Sequence, residues 1–252
     1  MATDVSADIP RGSTRGIQGI QRYLRQIGLP EIGPDGQQRL AAAVVAVASE
    51  DGDDVSAEIA ARYLAAAGVG TVRLISSPLN GENNGGGALL REGLRASNPD
   101  VVVQTQAWPR EGAGAEWLTA LEGANLIVRS GFDDDPMLRA AARLGIPAVV
   151  LKALPDRAEV IAFRKHGPCP HLALDVWPAR AGQTRGGASA VVAGTLGASE
   201  AVFILVGRAG APPSRARHLS VPLDGGSPRA QEIPWAPECF ACGGGAVEMV
   251  FP

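Results

Sequence analysis

Cysteine is scarce, with three in 252 residues. So small and odd a number argues against a secreted disulfide framework and fits a reducing compartment, which makes the cytoplasm the expected location. Aromatic side chains are only 4% of the chain, so its core is not built on rings. The abundance of alanine and glycine points instead to helices lying close on a sheet through small side chains. No sign of charge dominates: 23 Lys and Arg stand against 26 Asp and Glu, a net charge of -3. Neither nucleic acid nor an anionic membrane is therefore an expected partner. Long hydrophobic runs are missing as well. The opening "MATDVSADIPRGSTRG" has no continuous apolar core and makes a poor signal peptide. The longest candidate, Ala188 to Val206, carries Glu200 together with glycines and serines, and reads as a buried helix of a soluble protein.

What is present is an alternation of strands and helices. Residues 1–16 are polar and aperiodic, a tail in character, and residues 17–252 read as one domain. Ile17, Ile20, Tyr23 (or Leu24) and Ile27 recur at helical spacing until Gly28 and Pro30 stop the helix. Strands are expected at Val44–Ala48 and Thr71–Ile75. They flank a helix from about Asp54 to Ala67 with an inward stripe of Val55, Ile59 and Tyr63, stopped by Gly68. The pattern continues with a helix at Ala88–Ala96, strand Val101–Gln106, a short helix at Trp117–Leu121, strand Leu126–Ser130, helix Pro136–Leu144 and strand Ala148–Leu151. Such repetition with short loops predicts a Rossmann-like, doubly wound, mainly parallel sheet with helices on both faces. Beyond residue 151 the grammar changes. Val160–Phe163 alternates like an antiparallel strand, Ala188–Val206 is the long helix, and Arg217–Val221 and Val247–Phe251 are late strands. Ala209–Pro213 and Asp224–Pro237 read as loops.

Three stretches carry a family resemblance: "RYLRQIGLPEIGPDGQQRL" (Arg22–Leu40), "RYLAAAGVGTVRLI" (Arg62–Ile75) and "VVAGTLGASEAVFILVG" (Val191–Gly207), the last followed by "PECFACGGG". Together they resemble the ThiF/MoeB/HesA group of ubiquitin-activating-like adenylating enzymes. The resemblance implies ATP at the carboxyl edge of the sheet, adenylation of the C-terminal carboxylate of a ubiquitin-like or sulfur-carrier protein, and a dimer. It also makes residues 17–151 the nucleotide-binding half and residues 152–252 the carrier-binding half, with a zinc clasp.

Several motifs of that family are altered here. Its GxGGxG loop, whose bare glycines admit phosphates to a helix N-terminus, is replaced by "ASEDGDDVSA" with one glycine, Gly52. Glu50, Asp51, Asp53 and Asp54 fill the anion site from within, and Asp53 or Asp54 can cap the helix. A triphosphate beside these acids meets repulsion of about 1 to 3 kcal/mol per pair. The same acids are also a candidate cation site. Strand two ends in Ser76, Ser77 and Pro78 where the family has an aspartate. "LNGENNGGGALLREG" lacks the phosphate-gripping lysine and offers only Arg91, read as solvated. "ARAGQTRGG" lacks a catalytic cysteine. In "GFDDDP", Asp133, Asp134 or Asp135 stands where the resemblance places the family's nucleotide-contacting aspartate; equally, Asp135 caps the helix that starts at Pro136.

Two features persist. By the resemblance, Arg25 reaches across the dimer to the ATP phosphates of the other subunit; alternatively it pairs locally with Glu31. Cys239 and Cys242 form the clasp's second CxxC, and "GPCPHLAL" offers Cys169 and His171 in place of the first, a set of four ligands suited to structural Zn2+. The alternative is a metal-free pair of thiols. His166 and His218 read as surface residues. The expectation drawn from these losses is a family member degenerate in ATP binding. It would act as a non-catalytic partner in a homodimer or heterodimer, or would present a carrier protein or peptide. The alternatives are an active ATP-dependent adenylyltransferase and a Rossmann module for NAD or another small ligand.

Overall fold

The computed structural model describes residues 17–49, 54–76, 85–109, 114–131, 136–164, 187–207 and 215–234. Among them the chain runs α1 (Ile17–Ile27), α2 (Gly33–Ala42), β1 (Val44–Ser49), α3 (Val55–Ala66), β2 (Thr71–Ser76), α4 (Gly85–Ser97), β3 (Val102–Ala107), α5 (Gly114–Ala120), β4 (Leu126–Ser130) and α6 (Pro136–Leu144). It then continues through β5 (Ala148–Ala153), β6 (Arg157–Phe163), α7 (Ala188–Leu205), β7 (Arg215–Pro222) and β8 (Arg229–Pro234). The strands form an eight-stranded sheet in the order β3-β2-β1-β4-β5-β6-β7-β8. Strands β1 to β5 pair in parallel and β6, β7 and β8 pair antiparallel, as the alternation and its late change predict.

Successive residues of each strand face opposite sides, and both sides are apolar in the centre. Val45, Val47, Leu126, Val128, Val149 and Leu151 lie on one face with α3, α7 and Leu40 of α2. Ala46, Ala48, Ile127 and Val150 lie on the other with Trp117 of α5 and Met137 and Leu138 of α6. Burial on two faces is why the central strands read as unbroken hydrophobic runs rather than alternating ones.

Helix α3 corrects an expectation. Its buried face is Ser56, Ala57, Ala60, Ala61, Leu64 and Ala65; Val55 and Ile59 are half-buried and Tyr63 is 52% exposed. Close approach decides the orientation. A Cβ on Gly194 of α7 would stand 2.5 Å from the Ser56 carbonyl and 2.8 Å from Ile59 Cβ, so the two helices nearly touch. Gly194 leaves the room in which Ile59 lies against α7, and the alanines of α3 bring it down on the sheet. Gly68 ends α3 as expected, with φ +88°, and a Cβ there would also strike the Tyr23 ring.

Helix α2 is not separated from α1 by apolar periodicity, since only Gly36, Gln37 and Leu40 are buried. Its signals are Pro34 in the first turn, Asp35 near the start and Arg39 near the end. It serves as a polar end-piece for its neighbours. Gln37 Nε2 donates to the Ala67 carbonyl at 3.0 Å and Arg39 Nη2 to the Val206 carbonyl at 2.6 Å, satisfying carbonyls left open at the ends of α3 and α7. Strand β8 lies inside the stretch expected to be a loop, 224–237; polar edge residues hide it, and only Ile233 is buried. His218, expected at the surface, is buried because β7 is flanked by β6 and β8. Helix α7 is long and apolar enough to cross a membrane by length and composition. Here, though, it packs on α3 and the sheet, burying Ser189, Ala190, Ala193, Gly194, Gly197, Ala198, Glu200 and Ala201. The expected strand Val247–Phe251 lies outside the described residues.

Candidate functional site at the strand switch point

From β1 the chain winds outward through β2 to β3, then returns to place β4 on the other side of β1. Such a reversal opens a crevice at the carboxyl ends of the two adjacent strands, where open α/β sheets bind ligands. The strands end in register at Ser49 and Ser130, both buried, and α3 begins directly above β1.

Asp54 is the N-cap of α3, with extended backbone (φ -73°, ψ 109°). Its Oδ1 accepts hydrogen bonds from the amides of Ser56 at 2.8 Å and Ala57 at 3.1 Å. Its Oδ2 accepts one from the Ser130 hydroxyl at 2.7 Å. The carboxylate therefore occupies the place where α3 would offer its free amides and positive dipole to an anion. Of the four acids predicted to fill this cradle, Asp54 does so; Glu50, Asp51 and Asp53, with Gly52, lie outside the described residues.

On the opposite face, Arg129 is buried and donates from Nη1 to the Ser130 carbonyl. Its guanidinium sits 4.7 Å from the centroid of the Trp108 ring, a cation–π geometry. Trp108 in turn meets Trp117 edge to face at 4.9 Å. This cation and two of the chain's four tryptophans were missed in the sequence. Arg129 lies in an apolar strand, and the signal was a charge placed one residue before a strand end. Gly131, with φ +85°, turns the chain out of β4 and donates its amide to the Leu151 carbonyl at 2.9 Å.

The opening motif divides into two roles. Arg22 Nη1 donates to the Ser97 carbonyl at 3.0 Å. The Tyr23 hydroxyl accepts from Asn98 Nδ2 at 2.7 Å, and Asn98 also donates to the Ala65 carbonyl at 2.6 Å. These contacts moor α1 to the body, so Tyr23 rather than Leu24 is the inward residue; Leu24 is 54% exposed. Arg25 is exposed on the same helix. Arg91 is half-buried on α4, with its Nε enclosed, rather than solvated. Asp133, Asp134 and Asp135, the zinc candidates Cys169, His171, Cys239 and Cys242, and His166 lie outside the described residues. Among the described residues no cluster of metal-ligating side chains occurs.

No family model matches the chain. It is 30% identical over 246 residues to the mouse (Mus musculus) adenylyltransferase and sulfurtransferase MOCS3, covering 89% of this chain and 53% of that protein. It is 29% identical over 219 residues to the sulfur carrier protein adenylyltransferase of Thermus thermophilus, covering 75% of this chain and 78% of that one. The chain has a ThiF/MoeB-like fold. It spans about half the length of the MOCS3 relatives it matches. The ThiF/MoeB-like fold is seen again in Escherichia coli MccB, with a TM-score of 0.68 at 16% identity over 88% of this chain and 74% of that one. On that fold, the amides at the start of α3 are held by an acid of this chain, Asp54.

Proposed function

We propose that the protein acts in the activation of a C-terminal carboxylate, on a small sulfur-carrier protein or a peptide, by transfer of an adenylyl group from ATP. The observation that carries this reading is the likeness to a sulfur carrier protein adenylyltransferase over 78% of that enzyme's length. It is joined to a sheet whose reversal between β1 and β4 opens a crevice at its carboxyl edge. The fold neighbour MccB has been crystallised with ATP and, separately, with MccA. In the reaction the acceptor carboxylate attacks the α-phosphorus and pyrophosphate departs. From this chain, Arg129 and Ser130 stand at the crevice, Asp133 and Asp134 are the candidates to contact nucleotide, and Arg25 is the candidate to reach a second subunit. Zn2+ on Cys169, His171, Cys239 and Cys242 is part of the proposal on ligand chemistry alone, as a structural clasp between two distant segments.

A second reading is favoured by one observation: the amides at the start of α3 already hold the Asp54 carboxylate. In it the chain is a dimer partner without adenylation activity that binds or presents the carrier or peptide. Pyrophosphate exchange into ATP, measured with purified chain and the small sulfur-carrier proteins of the same cell, separates the two. Carrier-dependent exchange supports adenylyl transfer. Carrier binding without exchange, at any ATP concentration up to millimolar, replaces it with the partner role.

A further inference from the structure

We propose that the outer edge of β3 is a docking edge for an extended peptide strand that carries an acidic side chain. Strands β3 and β8 are the two ends of the sheet, and they are guarded differently. An edge strand offers its open amides and carbonyls to other strands unless charge or proline deters them. Strand β8 has Arg229, Glu232 and Pro234; β3 reads Val-Val-Gln-Thr-Gln-Ala, with neither charge nor proline. Its inward groups are taken by β2: the Val102 amide donates to the Gly70 carbonyl at 2.9 Å and the Trp108 amide to the Ser76 carbonyl at 2.8 Å. Backbone groups alternate sides along a parallel ladder, so Val103, Thr105 and Ala107 present theirs outward. Arg95 of α4 agrees with that direction, donating from Nη2 to the Val103 carbonyl at 3.2 Å. Thr105 and Ala107 are exposed, and among the described residues nothing bonds to their outward groups.

Charge decides which strand fits. Arg91 and Arg95 lie one turn apart on the same side of α4. Helix α4 runs against the strand direction, and four helical residues rise about 6 Å while two strand residues span about 7 Å. With Arg95 at Val103, Arg91 therefore falls beside Thr105. Arg91 is half-buried and its enclosed Nε has no hydrogen-bond partner. Among the described residues neither arginine makes an ion pair, even with Glu92 of the same helix. A guanidinium held partly out of water without a counter-charge favours an incoming carboxylate. The geometry delivers one. Val103 packs with Leu90 and Leu94 of α4, so the side chain of a residue added opposite Thr105 points to the α4 face, towards Arg91. Main-chain bonds to Thr105 and Ala107 supply the docking, and an Asp or Glu at that one position supplies the selection. Nothing in this step requires ATP.

The test titrates the full chain, without ATP, into two fluorescein-labelled and end-capped peptides and reads their anisotropy. One is Thr-Val-Thr-Glu-Thr-Val-Thr; the other has Lys in place of Glu. The expected result is saturable binding of the glutamate peptide, about tenfold tighter than that of the lysine peptide. Arg91→Gln should abolish the preference, and Arg91→Glu should reverse it in favour of the lysine peptide, a gain that mere misfolding cannot produce. Thr105→Pro removes an outward amide and leaves the bonds to β2, so it should weaken both peptides by about fivefold or more. Should that variant unfold, the charge reversal at Arg91 decides alone. Equal affinity for the two peptides, no saturation by the glutamate peptide up to millimolar, or a preference that survives Arg91→Gln overturns the docking edge. So does a wild-type dimer in sedimentation that Thr105→Pro splits without any peptide, because a second copy of the chain would then be the occupant of β3.

Discussion

The two halves of the sheet bury different things. Around β1 to β5 the interior is built from valine, leucine, isoleucine and alanine, and its buried polar groups are largely there to satisfy backbone: Asn98 and Gln37 hold the Ala65 and Ala67 carbonyls. Charge gathers at the carboxyl edge, in Asp54, Arg129 and the buried Lys152 near the end of β5. Around β6, β7 and α7 the apolar interior also encloses two carboxylates. Glu159 is buried beside Arg157 at 2.8 Å, and Glu200 is buried in α7 with Arg217 at 2.9 Å. Glu159 holds the Arg157 guanidinium above its ordinary pKa through their hydrogen bond, whereas burial lowers that of Arg164 beside Glu200. The first half is an apolar frame with its buried charge confined to one edge. The second carries charge where a frame needs none. Individual character is to be sought there and at the β1–β4 edge.

The hardest test of this contrast falls on the seam that joins the halves. Gly194→Val places a side chain 2.5 Å from the Ser56 carbonyl, a backbone atom that cannot step aside. The expected loss is about 3 kcal/mol or more in urea unfolding. Gly114→Ala, which has nothing within 4 Å, is the matched control and should be nearly neutral. If the valine variant loses less than about 1 kcal/mol, α3 and α7 are not packed on glycine and the frame is looser than described.

Next in size is the ionic interior. Arg217→Ala leaves the buried Glu200 carboxylate without its donor, and such orphaned charges cost about 2 to 4 kcal/mol. Glu200→Leu removes the buried charge itself and lets the half-exposed Arg217 return to water, so it should cost less than the arginine change. The inequality is the content of the prediction. A Glu200→Leu protein less stable than Arg217→Ala would mean that the pair is held for attraction rather than tolerated.

A pH titration of stability sharpens the same half. Burial of His218 pushes its pKa below the ordinary 6.5, the nearby Glu159 opposing this only in part and Arg157 adding to it. The folded state therefore binds a proton less readily than the unfolded chain. Stability from this group is complete above about pH 6.5 and drains as pH falls from there through the folded pKa, with a slope of at most about 1.4 kcal/mol per pH unit. His218→Phe should flatten that part of the profile. An unaltered slope would assign the acid sensitivity to other groups.

The early half was legible because its strands are continuous apolar runs closed by Gly, Pro or acidic caps. Leu126–Ser130 and Pro136–Leu144 match the structure residue for residue. Its helix faces were less so. Alanine weighs little on a hydrophobic scale yet fills most of the buried side of α3, because Gly194 on α7 lets the two helices come close, with Ile59 against the glycine and Tyr63 left outside. Helix α2 and strand β8 escaped for a related reason: α2 buries only Gly36, Gln37 and Leu40 and is held by polar bonds to neighbours remote in sequence, and among the described side chains of β8 only Ile233 is buried. At the site, an acid closing the α3 amides was readable from "EDGDD". Its second bond to Ser130 was not, since 76 residues separate the partners. The Arg129–Trp108 contact was likewise hidden, because a cation in β4 stacked on a ring just beyond β3 leaves no spacing to read.

The smallest effect returns to the frame. Glu58 and Arg62 on α3 form an ion pair at 2.7 Å, shorter than the Glu200–Arg217 pair at 2.9 Å. Length alone would rank it the stronger. Its side chains are 40% and 43% exposed, however, so water and salt screen the attraction, and ordering two long side chains consumes most of what is left. A double-mutant cycle on Glu58→Ala and Arg62→Ala should give a coupling of about 0.3 to 0.5 kcal/mol, shrinking further in 1 M salt as the screening length contracts to about 3 Å. The same cycle on Glu200 and Arg217 should keep most of its value in that salt, because a buried carboxylate is beyond the reach of mobile ions. Equal salt sensitivity in the two cycles would dissolve the distinction between the halves, since it would mean that the interior of the late sheet is as wet as the surface of α3.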